Sequence, residues 1–221
     1  MAYHPDAYTG FGGHPEFNGL FEKFRKHNRR NNGGDIARLW SLLLNVKQID
    51  KEGIVGDFAE VGVWRGNTAA VLAYYAEQFG RDVFLFDTYE GFSEQDLNGI
   101  DARQGVSFSD TSLDMVKEVV GSDGGSAHFV RGWFPDSITE QHQARKYAVV
   151  SLDCDLYAPM KAGLEFFYPR MSEGGIFFLH DYSSQYWEGA TKAIDEWSAS
   201  TGEKIILMPD KSGSAFVRKT R

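Results

Sequence analysis

From Asp57 onward the chain repeats one pattern: a short unbroken apolar run, a turn, then apolar residues at helical spacing. Phe58 to Val63, Asp82 to Asp87, Ala127 to Val130, Tyr147 to Asp153 and Gly175 to His180 are predicted strands. Asn67 to Phe79, Thr111 to Val120, Ala158 to Tyr168 and Trp187 to Ala199 are predicted helices. Lys204 to Met208 and Ser214 to Arg218 read as a closing hairpin-like pair, which makes the last strand antiparallel. Apolar strands alternating with helices predict an α/β fold, a mostly parallel seven-stranded sheet with helices on both faces. Such sheets bind ligands outside the carboxyl ends of their strands, at the point where strand order reverses. Four acidic residues stand at predicted strand ends: Glu60, Asp87, Asp153 and Asp181.

The segment before this pattern differs. Gly10, Gly12, Gly13, Asn18, Gly19 and Asn31 to Gly34 are interleaved with Tyr8, Phe11, Phe17, Phe21 and Phe24, which suggests an arm that packs on a partner subunit or on the site mouth. Asp35 then caps a predicted helix with Ile36, Leu39, Trp40, Leu43 and Leu44 at helical spacing. The expected organisation is an arm and helix over residues 1–50, acting as cap or oligomer contact, and one ligand-binding domain over residues 51–221. No internal repeat or low-complexity tract interrupts it.

Composition narrows the function classes. The chain has 221 residues, 42% of them hydrophobic and 14% aromatic, enough for a single core. Its net charge of −8 argues against nucleic acid, whose phosphates need a basic face. The one dense basic run, Lys23 to Arg30, reads as a solvated helix face or connector. The single cysteine, Cys154, excludes an intrachain disulfide and reads as a small buried core residue. No apolar run reaches the length of a membrane span, and Met1 to Pro5 lacks a basic-then-apolar signal pattern, so a cytoplasmic protein is the expectation.

The first predicted strand runs into its helix through Glu60-Val61-Gly62-Val63-Trp64-Arg65-Gly66-Asn67-Thr68. Gly62 and Gly66 permit a tight turn and close approach of backbone to ligand. Asp87 ends the neighbouring strand, where a carboxylate accepts from ribose hydroxyls. A dinucleotide fingerprint would place glycine at position 64, where this chain has Trp64, and bulky Trp64 and Arg65 oppose a pyrophosphate cradle. Adenosine carrying a sulfonium amino acid needs no such cradle.

Asp153 and Asp181 follow successive apolar strands. If those strands are neighbours, the two carboxylates emerge roughly 5 Å apart and need a proton or cation between them. A hard divalent ion there lowers the pKa of a substrate hydroxyl, and a contacting carboxylate takes its proton. Asp155 has two readings, a ligand or the cap of the helix that opens near Ala158, and the cap is the favoured one. His180 has three readings: a nitrogen ligand shifting preference from magnesium towards manganese, iron or zinc, a base beside the metal, or a structural hydrogen-bonding residue.

With these residues placed, the sequence resembles the macrocin O-methyltransferase family, bacterial enzymes that methylate sugar hydroxyls of natural products. The matching stretches are Gly56 to Gly66, Phe86 to Phe92, Gly132 to Ser137, Leu152 to Tyr157, Tyr168-Pro169 and Gly174-Gly175, then His180-Asp181-Tyr182. The resemblance implies a Rossmann-like class I methyltransferase fold with S-adenosylmethionine and magnesium, or manganese or another divalent ion. It assigns Glu60, Gly62 and Asp87 to the cofactor, with Trp64, Gly66, Thr68, Thr88, Gly132 and Trp133 completing that set. It assigns Asp153 and Asp181 to the metal and makes Asp153 a candidate base; His180, as ligand or base, rests on the residue reading above. The family usually reads Asp-Asp-Tyr where this chain has His180-Asp181-Tyr182, so the metal's identity is open.

The expected partner is a small-molecule acceptor, a glycoside or similar hydroxylated metabolite, with no nucleic acid, no membrane and self-association into a homo-oligomer. Competing readings are metal-free methyl transfer with His180 as base, a non-catalytic nucleotide-binding module and a nicotinamide-dependent oxidoreductase. The paired Asp153 and Asp181 oppose the module, and Trp64 opposes the oxidoreductase. The glycine-containing loop from Thr88 to Ser109 is expected to close over cofactor or acceptor. Tyr182, Tyr186 and Trp187 are read either as acceptor-pocket residues or as ordinary packing.

Overall fold

Two helices ahead of the first strand already belong to the core beneath the sheet. In the computed structural model, which describes residues 13, 15–105, 107–121 and 125–220, α1 (Pro15–Arg25) buries Phe17, Leu20 and Phe24. The predicted arm residues Tyr8, Gly10, Phe11 and Gly12 lie outside the described residues. After the single turn α2 (Arg29–Asn32), α3 (Ile36–Lys51) opens at Asp35, whose side chain accepts from the Arg38 N–H at 3.4 Å. Its buried stripe is Leu39, Leu42, Leu43, Val46 and Ile49, whereas Leu44, expected on that stripe, is exposed. These helix residues join one apolar cluster with Phe58, Leu85 and Val149 of the sheet.

The remaining elements follow in the predicted order. They are β1 (Asp57–Val61), α4 (Asn67–Gln78), β2 (Val83–Asp87), α5 (Leu113–Val120) and β3 (Ala127–Arg131). Then come α6 (Glu140–Gln143), β4 (Tyr147–Leu152), α7 (Tyr157–Phe167), β5 (Met171–Leu179), α8 (Glu188–Thr201), β6 (Ile206–Leu207) and β7 (Ala215–Arg218). The strands form one sheet in the order β3-β2-β1-β4-β5-β7-β6. β3 to β5 are parallel to their neighbours through β1, and β7 runs antiparallel to both β5 and β6. The first cluster covers one face; a second, including Val150, Leu164, Phe167, Phe177 and Ile194, covers the other. This is the layering that continuous apolar strands require, since each must be covered on both sides.

One predicted turn is not a turn. β5 begins at Met171, so Gly174-Gly175 lies inside the strand, and the register against β4 shifts between Tyr147 and Val149. A bulge absorbs the extra residues, with Gly174 at φ 77° supplying the left-handed conformation it needs.

Register places the site. Val61 pairs with Phe86 and with Leu152, and Leu152 with Leu179. Gly62, Asp87, Asp153 and His180 therefore leave the sheet together. Strand order reverses between β1 and β4, so they surround the topological switch point.

Candidate active site

A cavity of about 370 Å³ opens at these strand ends. Of the residues predicted to hold cofactor or metal, Glu60, Gly62, Trp64, Thr68, Asp87, Thr88, Gly132, Trp133, Asp153, His180 and Asp181 all line it. Gly66 is the exception. It caps α4 in a left-handed conformation, and a Cβ there would crowd Val116 and Val120 of α5. Its role is to let α5 close on the helix start. Gly62 is tighter still, because a Cβ there would run into the Asp153 carbonyl, so glycine lets the β1 and β4 ends meet.

Asp87 differs from its expected role in detail. Its Oδ2 accepts from the Val63 and Trp64 N–H groups at 2.6 and 2.9 Å, and its Oδ1 from the Tyr89 N–H at 2.6 Å. The Thr88 hydroxyl adds a longer bond at 3.4 Å. Most of the carboxylate's acceptor capacity is thus used within the protein, Oδ2 holding the glycine loop and Oδ1 the start of the loop after β2. Burial still raises its pKa against these bonds. Glu60 is the reverse case: it is 1% exposed, its Oε1 accepts from the Ser151 hydroxyl at 3.3 Å, and its Oε2 is buried without a partner among the described residues. Burial first, and then the Asp153 charge, push the Glu60 carboxyl well above its ordinary pKa.

In the same cavity, Asp153, Asp155, His180 and Asp181 each offer a ligand atom, all within 4.8 Å of one another. Asp155, expected to cap α7, does not. Leu156 precedes that helix without a side-chain cap, and the Tyr157 N–H donates instead to Asp101 Oδ2 at 2.7 Å. A left-handed turn at Asp155, φ 61°, takes its carboxylate into the cluster. Asp181 is left-handed as well, φ 59°. Non-glycine residues held in this region mark a constrained site.

Burial, then the charges of Asp181 and Asp153, raise the Asp155 pKa well above the carboxylate range. Burial works the same way on Asp181, but contact with His180 more than offsets it and holds that carboxyl low. His180 Nδ1–H donates to Asp181 Oδ2, and the same nitrogen lies 2.5 Å from Asp153 Oδ1 as an ion-pair contact. The Arg38 guanidinium donates to His180 Nε2. Because arginine only donates, a neutral His180 keeps its proton on Nδ1, facing the carboxylates. Three carboxylates crowded in this way are a donor set that suits a hard divalent cation. His180 can become a fourth ligand through Nδ1 only by giving up that proton and its bond from Arg38.

Arg38 was not identifiable from the sequence as a site residue. It is 9% exposed, donates also to Asn32 Oδ1 and packs over Phe24. Asn28, Asn31, Asn32 and Lys211 join it on the cavity wall. Of the predicted basic stretch Lys23 to Arg30, only Asn28 lines the cavity. No sequence signal marked Arg38, because a lone arginine on an amphipathic helix has no distinguishing spacing. Of the three aromatic candidates, Tyr186 and Trp187 line the cavity. Tyr182 instead packs against the second core and donates to Asp195 at 2.6 Å.

The loop after β2 covers part of the opening. Two 3-10 turns, Glu94–Asp96 and Gly99–Asp101, give it structure. Phe92, Phe108 and Trp187 pack with ring centroids 5.0 to 6.1 Å apart. Trp64 touches Phe108 and donates from Nε1 to Asp110 at 3.0 Å, tying the loop's far end to the glycine turn. Among the described residues no helix is long and apolar enough to cross a membrane.

The family model for macrocin O-methyltransferases, TylF, matches residues 34–217. The chain is 29% identical over 160 residues to the 8-demethyl-8-(2,3-dimethoxy-alpha-L-rhamnosyl)-tetracenomycin-C 4'-O-methyltransferase of Streptomyces olivaceus, covering 67% of this chain and 61% of that protein. It is 28% identical over 162 residues to the mycinamicin III 3''-O-methyltransferase of Micromonospora griseorubida, covering 66% and 63%. The chain thus spans a little under two thirds of the length of these curated relatives. Among solved structures, the O-methyltransferase NovP superimposes with a TM-score of 0.71 at 24% identity, covering 84% of this chain and 81% of NovP. The fold is the Rossmann-like class I methyltransferase fold.

Proposed function

The chain belongs to the macrocin O-methyltransferase family, and on that premise we propose that it moves the methyl group of S-adenosylmethionine to a hydroxyl of a sugar or other small natural product, with a divalent ion at the acceptor side. The observation that carries this reading is one cavity lined by two unlike groups: residues of the Glu60–Thr68 turn, and the cluster of Asp153, Asp155, His180 and Asp181. The names of the two curated relatives, both methylating hydroxyls of glycosylated natural products, support the acceptor class.

In this reading Gly62 and the loop held by Asp87 let the backbone approach the adenosine, and the free Glu60 Oε2 accepts from a cofactor donor. Asp153 receives the acceptor hydroxyl's proton, and His180 Nδ1, 2.5 Å from its Oδ1, stabilises the carboxylate between turnovers. Asp153, Asp155 and Asp181 would hold the ion, with His180 as the further candidate ligand. When bound, such an ion lowers the pKa of the acceptor hydroxyl. An all-oxygen set favours magnesium or manganese, and recruitment of His180 would shift preference towards later transition metals. Phe92, Phe108, Tyr186 and Trp187 provide an apolar rim against which water can be excluded.

A second reading, methyl transfer without metal, is favoured by one observation: His180 and Arg38 already place cationic or donor groups against the acidic cluster. Calorimetric titration separates the two. S-adenosylmethionine is titrated into chelated protein, then into protein with magnesium or manganese, for wild type and Asp153→Ala. The metal-dependent reading expects cofactor binding by both proteins and a metal signal from wild type alone. Cofactor binding with no metal signal selects the metal-free reading, and absence of cofactor binding in every condition sinks both.

A further inference from the structure

One acidic side chain on the cavity wall belongs neither to the cofactor turn nor to the metal cluster. Asp96 ends the first 3-10 turn of the loop, is 7% exposed and lines the cavity. Its Oδ2 accepts from Trp133 Nε1–H at 2.9 Å. Its Oδ1 is buried and has no hydrogen-bond partner among the described residues. A buried carboxylate oxygen without a donor is a costly arrangement that calls for a ligand or another function.

The position of Asp96 indicates what would satisfy it. An adenosine whose ribose lies across the ends of β1 and β2 extends its base towards the end of β3. There the Gly132 N–H donates to the Asp87 carbonyl at 3.0 Å, so Gly132 and Trp133 directly adjoin the ribose position. Cys154, the residue after Asp153, lines the same cavity. Trp133, Cys154 and Asp96 thus bring one indole, one small thiol and one acceptor to the cavity.

We propose that Asp96 reads the adenine of S-adenosylmethionine, its carboxylate accepting from the exocyclic 6-amino group. The assignment rests on the cofactor reading above and adds a specificity residue supplied by the covering loop. An ionised carboxylate only accepts. It therefore favours adenine, which donates at position 6, and opposes hypoxanthine, which presents a carbonyl there. Because the acceptor rides on the loop, adenine recognition also draws that loop onto the body.

The test is the affinity ratio of S-adenosylhomocysteine to S-inosylhomocysteine, its 6-oxo counterpart, measured calorimetrically for wild type and Asp96→Asn. Wild type is expected to prefer the adenosyl compound by roughly 100-fold or more, as a site built around a hydrogen bond does. Asp96→Asn can donate its amide to the 6-oxo group, and the ratio should fall by at least about tenfold. A ratio is used because partial unfolding of the variant lowers both affinities alike. Wild type binding S-adenosylhomocysteine, with the same ratio in Asp96→Asn, overturns the Asp96 assignment and leaves the cofactor reading standing. Wild type binding neither compound overturns both.

Discussion

Glu60 carries a buried carboxylate with one oxygen unpartnered among the described residues. Burial and the Asp153 charge raise its folded pKa well above the ordinary 4.5. Above that value the unfolded chain loses the proton while the folded chain retains it, so stability falls as pH rises towards the folded pKa. Glu60→Gln removes this loss. Without cofactor, the variant should melt at least about 2 °C higher than wild type at pH 8, with the gap closing towards pH 5, where one kcal/mol corresponds to roughly 2–4 °C for a chain of this size. Equal melting temperatures at both values would mean that the carboxylate is solvated in solution. The same residue illustrates what sequence could reveal. Its place before Gly62 made it a cofactor candidate, but only folding against Ser151 and Asp153 gives it an unsatisfied oxygen.

At the scale of elements, the loop between β2 and α5 is held by a few buried contacts. Asp101 Oδ2 accepts from Tyr157 N–H at the start of α7, and a Cβ on Gly189 of α8 would collide with the same carboxylate. One side chain therefore joins the loop to the starts of two helices. Asp101→Ala leaves a helix-start N–H without its acceptor, at a cost of about 1–3 kcal/mol. Gly189→Ala should displace the carboxylate from the opposite side. Both variants are expected to accelerate amide exchange across residues 88–105 while β1, β4 and β5 keep their protection. Exchange that rises uniformly through the sheet would show a global defect instead of a released loop. The expected closure of this loop over ligand is a separate matter, measured by proteolysis with and without cofactor and acceptor. Alternating hydrophobicity marked the loop's ends and length, but its anchors were hidden because Asp101 and Gly189 are far apart in sequence.

At the scale of the molecule, the N-terminal helices and the sheet share one core. Phe17, Leu20 and Phe24 are each 3% exposed or less. Burying one such side chain contributes about 1.5–3 kcal/mol, so removing residues 1–26 should cost on the order of 5 kcal/mol or more, comparable to the whole stability of many domains. The truncated chain is expected to lose its cooperative urea transition. A truncated protein with an unchanged midpoint would instead make this segment a detachable cap. By itself the sequence determined the order of strands and helices, the doubly covered sheet and the row of acidic residues at its strand ends. Those follow from local periodicity and from the rule that apolar strands must be covered on both faces. Tertiary structure alone decided that Asp155 turns into the acidic cluster, that Gly66 serves helix packing and that Asp87 folds the glycine loop. It also decided that Arg38 reaches His180 across 142 residues of chain. The physical reason is that these outcomes depend on strand register and on competition among donors and acceptors distant in sequence, which no local pattern encodes.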